Sequence, residues 1–551
     1  LLGKTYEGPI FNLTDRDTGA FPIVAGDFVT TEDGTGIVHI APGCGAEDFE
    51  LSKVHDLAII TPIDEAGIYV AGFGDLTGRS VRETNPAIFA SLTEKGVLYR
   101  TQEYDHRYPC CWRCGEELVF RLADEWFIRA DEIRPRMKAA SDAVTWVPAS
   151  AGKRMEDWLN NMGDWNISRK RYWGLPLPFY PCECGELTVV GSRAELDERA
   201  VAGTAGLKEL HRPWIDDVAI HCSKCGKQVE RITEVGDAWL DAGIVPFSTL
   251  NFMHDPEYWA KWYPADFITE MREQIRLWFY SMLFMSVALK DRAPYDSVLA
   301  FEKLMDESGK PMHKSLGNAI WFDDAAEKMG ADPMRWLYCA QNVQSNLNFG
   351  YGPAEQVKRR LLVLWNVYSF FVTYARIDGF DPKDGAPPLA ERSLLDRWIV
   401  SRLNSVVGEV RAGLDRIDAA GPTRTIERFV DDLSTWYVRL SRRRFWKSAD
   451  DADKRAAQAT LYEVLTTLTR LLAPFMPFVA ESLYQNLVRS VEPSAPESVH
   501  HTAYPDVDPA AIDLDLERQV EVSRTLVGLG RAAREQATLK GRQPLALDRL
   551  R

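Results

Sequence analysis

The spacing of apolar residues changes along the chain. Residues 1–105 carry short apolar runs broken by Gly and Asp, a pattern typical of β-structure, and we expect strands at Val24–Val29 and Gly36–Ile40. Residues 106–240 lack a long amphipathic period, and prolines interrupt them around Pro176–Pro181. Because this stretch also holds paired cysteines, it resembles small modules that a metal ion holds together.

An α/β pattern follows at residues 265–345. Strand-like apolar runs at Asp266–Thr269 and Ser297–Phe301 flank a helix-like run at Gln274–Leu289. Strands that alternate with helices predict a layered sheet with helices packed on it.

Helical spacing dominates the remainder of the chain. Four runs with apolar residues at helical intervals predict an α-helical bundle: Val357–Tyr374, Leu394–Ile417, Ala420–Ser448 and Asp453–Leu487. A proline-rich linker, Val491–Pro509, precedes a last predicted helix at about Leu516–Lys540. The predicted fold class is multidomain, α/β followed by α, with regions 1–105, 106–350, 351–490 and 491–551.

Composition supports several soluble domains. A chain of 551 residues exceeds the ~250–300 residues that one core serves, and 46% hydrophobic with 26% charged residues is globular in character. No apolar run approaches the ~18 residues of a membrane span. The net charge of −15 argues against a cationic coat, although local patches can still bind phosphates. Nine cysteines, mostly in close pairs, indicate metal ligands in a reducing cytoplasm.

The segment Gly309-Lys-Pro-Met-His-Lys-Ser-Leu-Gly-Asn318 resembles the KMSKS loop of class I aminoacyl-tRNA synthetases. Pro311 and His313 depart from the family pattern, and Lys310 can substitute for its first lysine from one position earlier. In such a loop a mobile ammonium group meets the negative charge that builds on departing pyrophosphate. The resemblance implies catalytic roles for Lys314, Ser315 and Lys310, and ATP contacts for Met312 and His313.

Three further segments match this family in the family's order. Asp164–Pro178, Gly236–Gly243 and Asp266–Phe279 resemble motifs of the synthetases for branched aliphatic amino acids, and the Arg-Tyr-Trp-Gly form favours isoleucine over valine. The resemblance implies that residues 106–350 are the second half of a Rossmann-type catalytic domain. It places five residues at the aminoacyl-adenylate: Glu270, Gln274, Trp278, Asp237 and Asp241.

A Gly-rich segment near the start of the chain, Gly34–Phe49, resembles the editing loop of these synthetases. By that resemblance His39 and Asp48 flank the 3′ end of a mischarged tRNA, and residues 1–105 are the C-terminal part of the editing domain. A carboxylate can hold the free ammonium of the esterified amino acid. Cys44 stands where the family often has a second His. The alternative is a strand followed by an ordinary Gly-rich turn.

Two cysteine pairs predict a zinc site. Cys182 and Cys184 lie 37 residues before Cys222 and Cys225, and four thiolates make a closed tetrahedral site for structural zinc. A third pair, Cys111 and Cys114, has no partner pair left in this chain, and the family supplies one from upstream sequence.

The segment Trp436–Lys447 holds five cations and no acid in twelve residues, interleaved with aromatic residues. It resembles part of the anticodon-binding bundle of the isoleucine synthetases. One interpretation assigns tRNA contacts to its cations, which are Arg439, Arg442, Arg443, Arg444 and Lys447. The other has some arginines pairing with Glu427, Asp431 or Asp432, while Trp436 and Leu440 face the core.

The expected function is ATP- and Mg²⁺-dependent charging of tRNA(Ile) with isoleucine, by a cytoplasmic monomer that also holds Zn²⁺ and edits valyl-tRNA. The His-x-Gly-His signature of class I synthetases does not occur among the nine histidines. Because the chain begins at Leu1 without Met and stops in a basic run, we expect an internal fragment. Because it lacks the His-x-Gly-His half of the ATP site, we expect this fragment to be inactive alone. The alternatives are a valine synthetase, or a zinc-stapled tRNA-binding or editing module without activation chemistry.

Overall fold

The computed structural model describes residues 1–6, 8, 21–30, 35–103, 105–111, 114–446, 451–540 and 543–544. The chain divides into two compact units. The first comprises Leu1–Phe127 with Asn166–Arg169, and the second comprises Ile128–Trp165 with Lys170–Arg551. No helix in the described ranges is long and apolar enough to cross a membrane.

Short strands and longer helices make up the described chain. The strands are β1 (Thr5–Tyr6), β2 (Phe21–Pro22), β3 (Phe127–Ile128), β4 (Thr145–Val147), β5 (Trp165–Asn166), β6 (Ser168–Arg169), β7 (Phe179–Pro181), β8 (Leu187–Val189), β9 (Ile220–His221), β10 (Gln228–Val229), β11 (Val235–Gly236), β12 (Ile268–Met271), β13 (Ser297–Phe301), β14 (Leu304–Met305) and β15 (Leu347–Asn348). The α-helices are α1 (Ala46–His55), α2 (Asn85–Glu94), α3 (Arg134–Asp142), α4 (Ala149–Asn161), α5 (Arg193–Arg199), α6 (Ala238–Ser248), α7 (Pro256–Trp262), α8 (Trp278–Lys290), α9 (Phe322–Met329), α10 (Ala331–Cys339), α11 (Tyr351–Asp378), α12 (Leu394–Asp415), α13 (Ala420–Asp432), α14 (Arg439–Trp446), α15 (Asp451–Leu472), α16 (Pro477–Tyr484) and α17 (Leu514–Gln536).

The described part of the first unit contains less β-structure than its pattern predicts. β1 and β2 pair antiparallel, and α1 and α2 are its helices. The strands expected at Val24–Val29 and Gly36–Ile40 are not formed among the described residues, so that prediction is wrong. A strand needs a neighbouring strand to satisfy the hydrogen bonds of its backbone. Its apolar residues must also be buried on one face of the sheet. Ile37 and Val38 are instead both exposed.

A three-stranded parallel sheet organises the start of the second unit. β13 lies in the middle, with β12 on one side and β4 on the other. Val298 and Ala300 point to the same face of β13 and are fully or nearly fully buried. The sheet confirms the strands expected near Asp266–Thr269 and at Ser297–Phe301. β4 and the helices α3 and α4 around it lie in a stretch that was expected to be irregular.

Helix α8 is fixed against α6 by an unusually close backbone approach. A Cβ on Gly243 would lie 2.7 Å from the Ser281 carbonyl oxygen, so any larger residue there would push the two helices apart. Trp278 Nε1 donates to the Ala242 carbonyl at 3.1 Å. These contacts hold the start of α8 in place beside the end of β12.

A small module occupies residues 176–236. Two antiparallel hairpins, β7–β8 and β9–β10, enclose a compact core that includes Tyr180, Ile220 and Leu196. This module is the irregular, cysteine-containing stretch that the sequence predicts.

The helical bundle forms from α11 onward, as the apolar spacing predicts. Two of the four predicted helices are interrupted. The run from Ala420 contains a π-helical segment, Leu433–Val438, between α13 and α14, and the run from Asp453 breaks between α15 and α16, where α16 begins at Pro477. A proline cannot donate its backbone nitrogen to a helix, which explains the second break.

The last helix, α17, packs on α12 and follows the predicted linker. Glu517 Oε1 accepts hydrogen bonds from Ser401 Oγ at 2.6 Å and Ser405 Oγ at 2.8 Å. Between the bundle and α17, Tyr504 donates to the Leu471 carbonyl at 3.0 Å. The linker is therefore tied to the bundle although it contains no helix longer than one 3₁₀ turn.

Candidate functional site

The loops that follow β12 and β13 meet at the carboxyl end of the sheet. Lys303 Nζ lies 3.0 Å from Glu273 Oε1, and Arg272 donates to Glu302 Oε1 at 2.9 Å. Partial burial acts to raise the pKa of Glu273, but the hydrogen bond and charge of Lys303, a backbone N–H and the charge of Arg272 together lower this pKa below its usual value. In open α/β sheets this edge is where ligands bind.

Two predicted adenylate-site residues shape the turn into α8. Glu270 Oε2 accepts from the Met271 backbone N–H at 2.7 Å, and Gln274 Oε1 accepts from the Trp278 N–H at 3.1 Å. Both side chains are half-buried. Glu270, Gln274 and Trp278 therefore lie together in one strand-to-helix turn, as the sequence predicts.

Asp237 and Asp241 lie at the start of α6 in different surroundings. Asp237 is buried and caps the helix, since its Oδ1 accepts from the Trp239 N–H at 3.2 Å and its Oδ2 accepts from Trp165 Nε1 at 3.1 Å. Asp241, one turn later, is exposed. Asp237 thus joins two of the sequence motifs, whereas Asp241 remains accessible to a ligand.

The KMSKS-like loop runs from β14 to α9. Lys310, His313 and Lys314 are exposed, and Lys314 Nζ lies 4.5 Å from the centre of the Trp321 ring, a cation–π distance. Met312 is partly buried against the cluster of α9, α10 and α11 side chains that includes Met329. The side chain of Ser315 lies outside the described residues.

The predicted editing loop is a tight turn that leads into α1. Asp48 Oδ2 accepts from the Ala41 N–H at 2.9 Å. Ala41 lies two residues after His39, which is exposed. A Cβ on Gly43 would lie 1.8 Å from the Ile60 carbonyl oxygen, so only glycine fits there. Burial, followed by the charge of Asp48, raises the pKa of Cys44. Gly34 lies outside the described residues.

Four cysteines meet in the small module. Cys182 Sγ lies 3.5 Å from Cys225 Sγ, Cys184 Sγ lies 3.8 Å from Cys222 Sγ, and all four sulfurs lie within 4.8 Å of one another. Four thiolates about 2.3 Å from a zinc ion would be about 3.8 Å apart in a tetrahedron. Two of the sulfur–sulfur distances are close to that value, so the cluster has the ligand type and approximate spacing of a four-thiolate zinc site.

The thiol pKa values in this cluster diverge. Backbone N–H groups of Cys225 and Lys224 lower the pKa of Cys222 to about 6. For Cys182 a backbone N–H of Cys184 acts in the same direction, but burial and hydrogen bonds to the other thiols raise the pKa to about 12. The backbone N–H groups at Cys222 thus favour its thiolate, which is the form that binds zinc.

The backbone of Cys111 makes the same two hydrogen bonds as the backbone of Cys222. The Cys111 N–H donates to the Glu116 carbonyl at 2.7 Å, and the Gly115 N–H donates to the Cys111 carbonyl at 2.8 Å. The Cys222 turn has the equivalent two bonds, to Lys227 and from Gly226. The described residues bring no second cysteine pair to Cys111 and Cys114, so among them a group of four cysteines occurs only in the small module.

The arginines of α14 separate into two groups. Arg444 donates to both carboxylate oxygens of the fully buried Asp396, at 2.8 and 2.7 Å, and also to Asp453. Tyr437 donates to the same Asp396 carboxylate at 2.7 Å. Arg444 therefore stabilises the bundle interior and is not available to bind tRNA.

The other three arginines, Arg439, Arg442 and Arg443, are exposed. The Arg442 guanidinium carbon lies 5.9 Å from the Phe370 ring centre and 6.0 Å from that of Trp446. Lys447 lies outside the described residues. An exposed row of cations beside aromatic rings is a surface suited to a nucleic-acid backbone.

Two of the three acids expected to pair with these arginines, Glu427 and Asp432, have other partners. Glu427 accepts from Trp336 and Arg360, and Asp432 pairs with Arg524 of α17. Helical spacing indicates only partners that are near in the chain, whereas Asp396 lies 48 residues before Arg444. The available signal for Asp396 was its place in Ser393-Leu-Leu-Asp396, a capping box.

Comparison with known families agrees with this arrangement. Residues 78–350 match the model of tRNA synthetases class I (I, L, M and V), and residues 396–549 match the model of the anticodon-binding domain of tRNA ligase. The chain belongs to the class I tRNA synthetases, and it carries a catalytic region and an anticodon-binding domain of that family.

Curated relatives within the family are isoleucine--tRNA ligases. The chain is 42% identical to that of Methanothrix thermoacetophila, over 99% of this chain and 52% of the relative. It is 40% identical to that of Clostridium acetobutylicum, over 99% of this chain and 53% of the relative. The chain thus spans about half the length of the curated relatives it matches.

A solved structure shares the fold. Methionyl-tRNA synthetase of Mycobacterium tuberculosis, in complex with methionyl-adenylate, superposes with a TM-score of 0.51 at 17% identity, covering 72% of each chain.

Proposed function

We propose that this chain is the part of an isoleucine--tRNA ligase that completes the ATP site, edits mischarged tRNA and binds the anticodon stem. In the activation step, a carboxylate oxygen of isoleucine attacks the α-phosphorus of ATP, and the bond to pyrophosphate breaks. The tRNA(Ile) hydroxyl then attacks the carbonyl of the adenylate, and AMP leaves.

The observation that carries this proposal is the shared edge of the sheet. Glu270 lies near the end of β12 and Gln274 in the turn after it, and the KMSKS-like loop follows β13 and β14. The ion pair between Glu273 and Lys303 links the two segments. ATP, bound with Mg²⁺, would receive the ammonium groups of Lys314 and Lys310 on its departing phosphates. Positive charge that meets charge developing in the transition state lowers the barrier.

The editing role rests on the Gly34–Phe49 segment. Asp48 Oδ2 is engaged by the Ala41 N–H, which fixes the carboxylate on the loop that carries His39. We assign Asp48 to the free ammonium of valine esterified to tRNA(Ile). Water would then attack the ester carbonyl, the bond to the ribose oxygen would break, and valine would leave.

A second sieve is needed because isoleucine and valine differ by one methylene. For isoleucine enzymes the first site discriminates by about 150-fold, a known value for this enzyme type and not one worked from the present structure.

Zinc and the surface arginines have supporting roles in this proposal. Zinc held by Cys182, Cys184, Cys222 and Cys225 would link the two hairpins of the small module. Arg439, Arg442 and Arg443 would contact tRNA phosphates. We assign no chemical step to this zinc, because four thiolates would fill its coordination positions.

Isoleucine-dependent exchange of labelled pyrophosphate into ATP tests the proposal in the full-length protein that contains this chain. We expect exchange with isoleucine, weaker exchange with valine, and charging of tRNA(Ile). A preference for valine would assign the protein to valine charging. Binding of tRNA without any exchange would instead indicate a binding or editing module.

A further inference from the structure

One carboxylate organises the whole KMSKS-like loop. Asp306 Oδ1 accepts from the Ser308 N–H at 2.9 Å, the Ser308 hydroxyl at 2.7 Å and the Lys310 N–H at 2.9 Å. Its other oxygen accepts from Asn318 Nδ2 at 2.9 Å. Both oxygens of this half-buried side chain are thus used by the loop that Asp306 begins.

Asn318 closes the loop from its other end. Its Nδ2 also donates to the Pro311 carbonyl at 3.0 Å, and its Oδ1 accepts from the His313 N–H at 2.9 Å. The pair Asp306–Asn318 therefore joins the first and last residues of the segment that carries Lys310 and Lys314. We call this pair the neck of the loop.

The hydrogen bonds of the neck favour the ionised carboxylate strongly. The bond from Asn318, followed by those from Lys310 and Ser308, holds the pKa of Asp306 well below its usual range. The Asp306 carboxylate is therefore ionised throughout the pH range in which the enzyme would work.

The neck constrains the two lysines differently. Lys310 is bonded through both its N–H and its carbonyl to Asp306, so its backbone is fixed. Lys314 lies beyond the bonds to Asn318, in a 3₁₀ turn that ends at Gly317 with φ +67°. The hydrogen bonds of the neck do not involve the ammonium group of either lysine. The neck therefore positions the backbone of the two lysines and leaves their side chains able to reach a ligand.

Two further contacts hold the base of the loop to the helices behind it. Glu307 Oε1 accepts from the Gly352 N–H in the first turn of α11 at 2.9 Å. Met312 packs in the cluster formed with Met329 and Met334. With the base held in this way, a change in the neck would alter the direction of the loop and not its attachment.

We propose that Asp306 and Asn318 are positioning residues for activation, closing the loop so that Lys310 and Lys314 point at the departing pyrophosphate. This inference rests on the proposed function. Both side chains are hydrogen-bonded within the loop, so we assign neither of them a contact with substrate. A misplacement of about 1 Å in a catalytic group can cost ~10²-fold in rate, so losing the neck should lower turnover and leave isoleucine binding unchanged.

Asp306→Asn in the full-length protein is the first variant. It keeps the size and one acceptor oxygen, but it turns an amide donor toward the Asn318 donor and breaks the neck. We expect kcat for pyrophosphate exchange to fall ~10–100-fold, with the KM for isoleucine and the melting temperature little changed. Asp323→Asn, an exposed aspartate in the first turn of α9, is the matched control and should behave as the wild type.

Rescue separates positioning from a general structural role. Adding Asn318→Asp to Asp306→Asn places an acceptor opposite the new amide and rebuilds the neck bond with its direction reversed. The double variant should recover part of the lost kcat, although the bond to Pro311 is not restored. A double variant no better than Asp306→Asn, or parallel losses of melting temperature and isoleucine affinity, would overturn the proposal.

Trypsin gives a readout that does not depend on activity. The bond after Lys314 should be cut faster in Asp306→Asn than in the wild type, because an open neck frees the loop. The bond after Lys310 is not informative, since proline follows it. If the wild type showed no isoleucine-dependent exchange, the proposed function would fail, and unchanged cleavage after Lys314 would separately refute the neck.

Discussion

Replacing Arg444 with leucine should destabilise the helical bundle far more than replacing its neighbour Arg443. Arg444 joins α14 to α12 through two bonds to Asp396 and to α15 through its bonds to Asp453. The Asp396 side chain is completely buried, whereas that of Asp453 is 38% exposed. Removal of Arg444 therefore leaves one carboxylate without its cation in the interior, while the other can be hydrated.

The expected cost follows from the Asp396 carboxylate. Removing one partner of a buried ion pair costs about 3–5 kcal/mol, because the remaining charge is left without compensation. The Tyr437 hydroxyl and the Ser393 hydroxyl still donate to Asp396, which places Arg444→Leu toward the lower end of that range. Arg443→Leu removes only an exposed side chain and should change the free energy of unfolding by less than about 0.5 kcal/mol.

The assay is urea unfolding of the 551-residue chain, followed by circular dichroism at the helical wavelengths, with tRNA binding measured on the same preparations. Arg444→Leu should lower the urea midpoint of the bundle. Arg443→Leu should weaken tRNA binding and leave the midpoint unchanged. Equal midpoints for the two variants would refute the assignment of Arg444 to the interior, and equal tRNA affinities for Arg443→Leu and wild type would remove Arg443 from the tRNA surface.

Three further outcomes follow from the proposed function. In the full-length protein Lys314→Ala should lower the rate of pyrophosphate exchange by roughly 10²–10³-fold, as loss of a transition-state donor does, and an unchanged rate would shift that role to Lys310. Metal analysis after reducing purification should find about one zinc per chain, and its removal should speed hydrogen exchange in residues 176–236 without melting the bundle; absence of zinc would defeat the assignment. Asp48→Asn should abolish hydrolysis of valyl-tRNA(Ile) and leave isoleucine activation intact, whereas parallel loss of both would indicate misfolding.

The sequence predicts regular elements well where a long apolar period continues. α11 and α12 and the strand β13 lie where the pattern places them, because each buries a continuous face. The three-residue strand β4 was missed, since its ladder partner is β13, about 150 residues away in the chain. The strands expected before residue 40 fail for the reverse reason, because an apolar run without a partner need not be a strand.

In the candidate sites, too, the features that are local in the chain could be predicted and those that depend on the folded loop could not. The four zinc-cluster cysteines could be paired from spacing alone, and Glu270, Gln274 and Trp278 were placed together by a motif that is local in the chain. The neck of the KMSKS-like loop could not be predicted, because Asp306 and Asn318 are 12 residues apart and each is an ordinary turn residue by composition. What joins them is the reversal of the loop, which no local pattern specifies.

The arginines of α14 show why composition alone cannot assign a role to each cation of a basic helix. Successive residues on a helix point about 100° apart, so Arg443 and Arg444 necessarily face different surroundings. The sequence spacing placed Leu440 toward the core, yet Leu440 is exposed and the buried stripe is Tyr437, Ser441 and Phe445. The π-helical segment Leu433–Val438 accounts for the difference, because its wider turn rotates everything after it relative to α13. That rotation brings Arg444 to Asp396 and leaves its neighbours at the surface, so one local irregularity in the helix decides which of these cations lie in the bundle interior and which remain exposed.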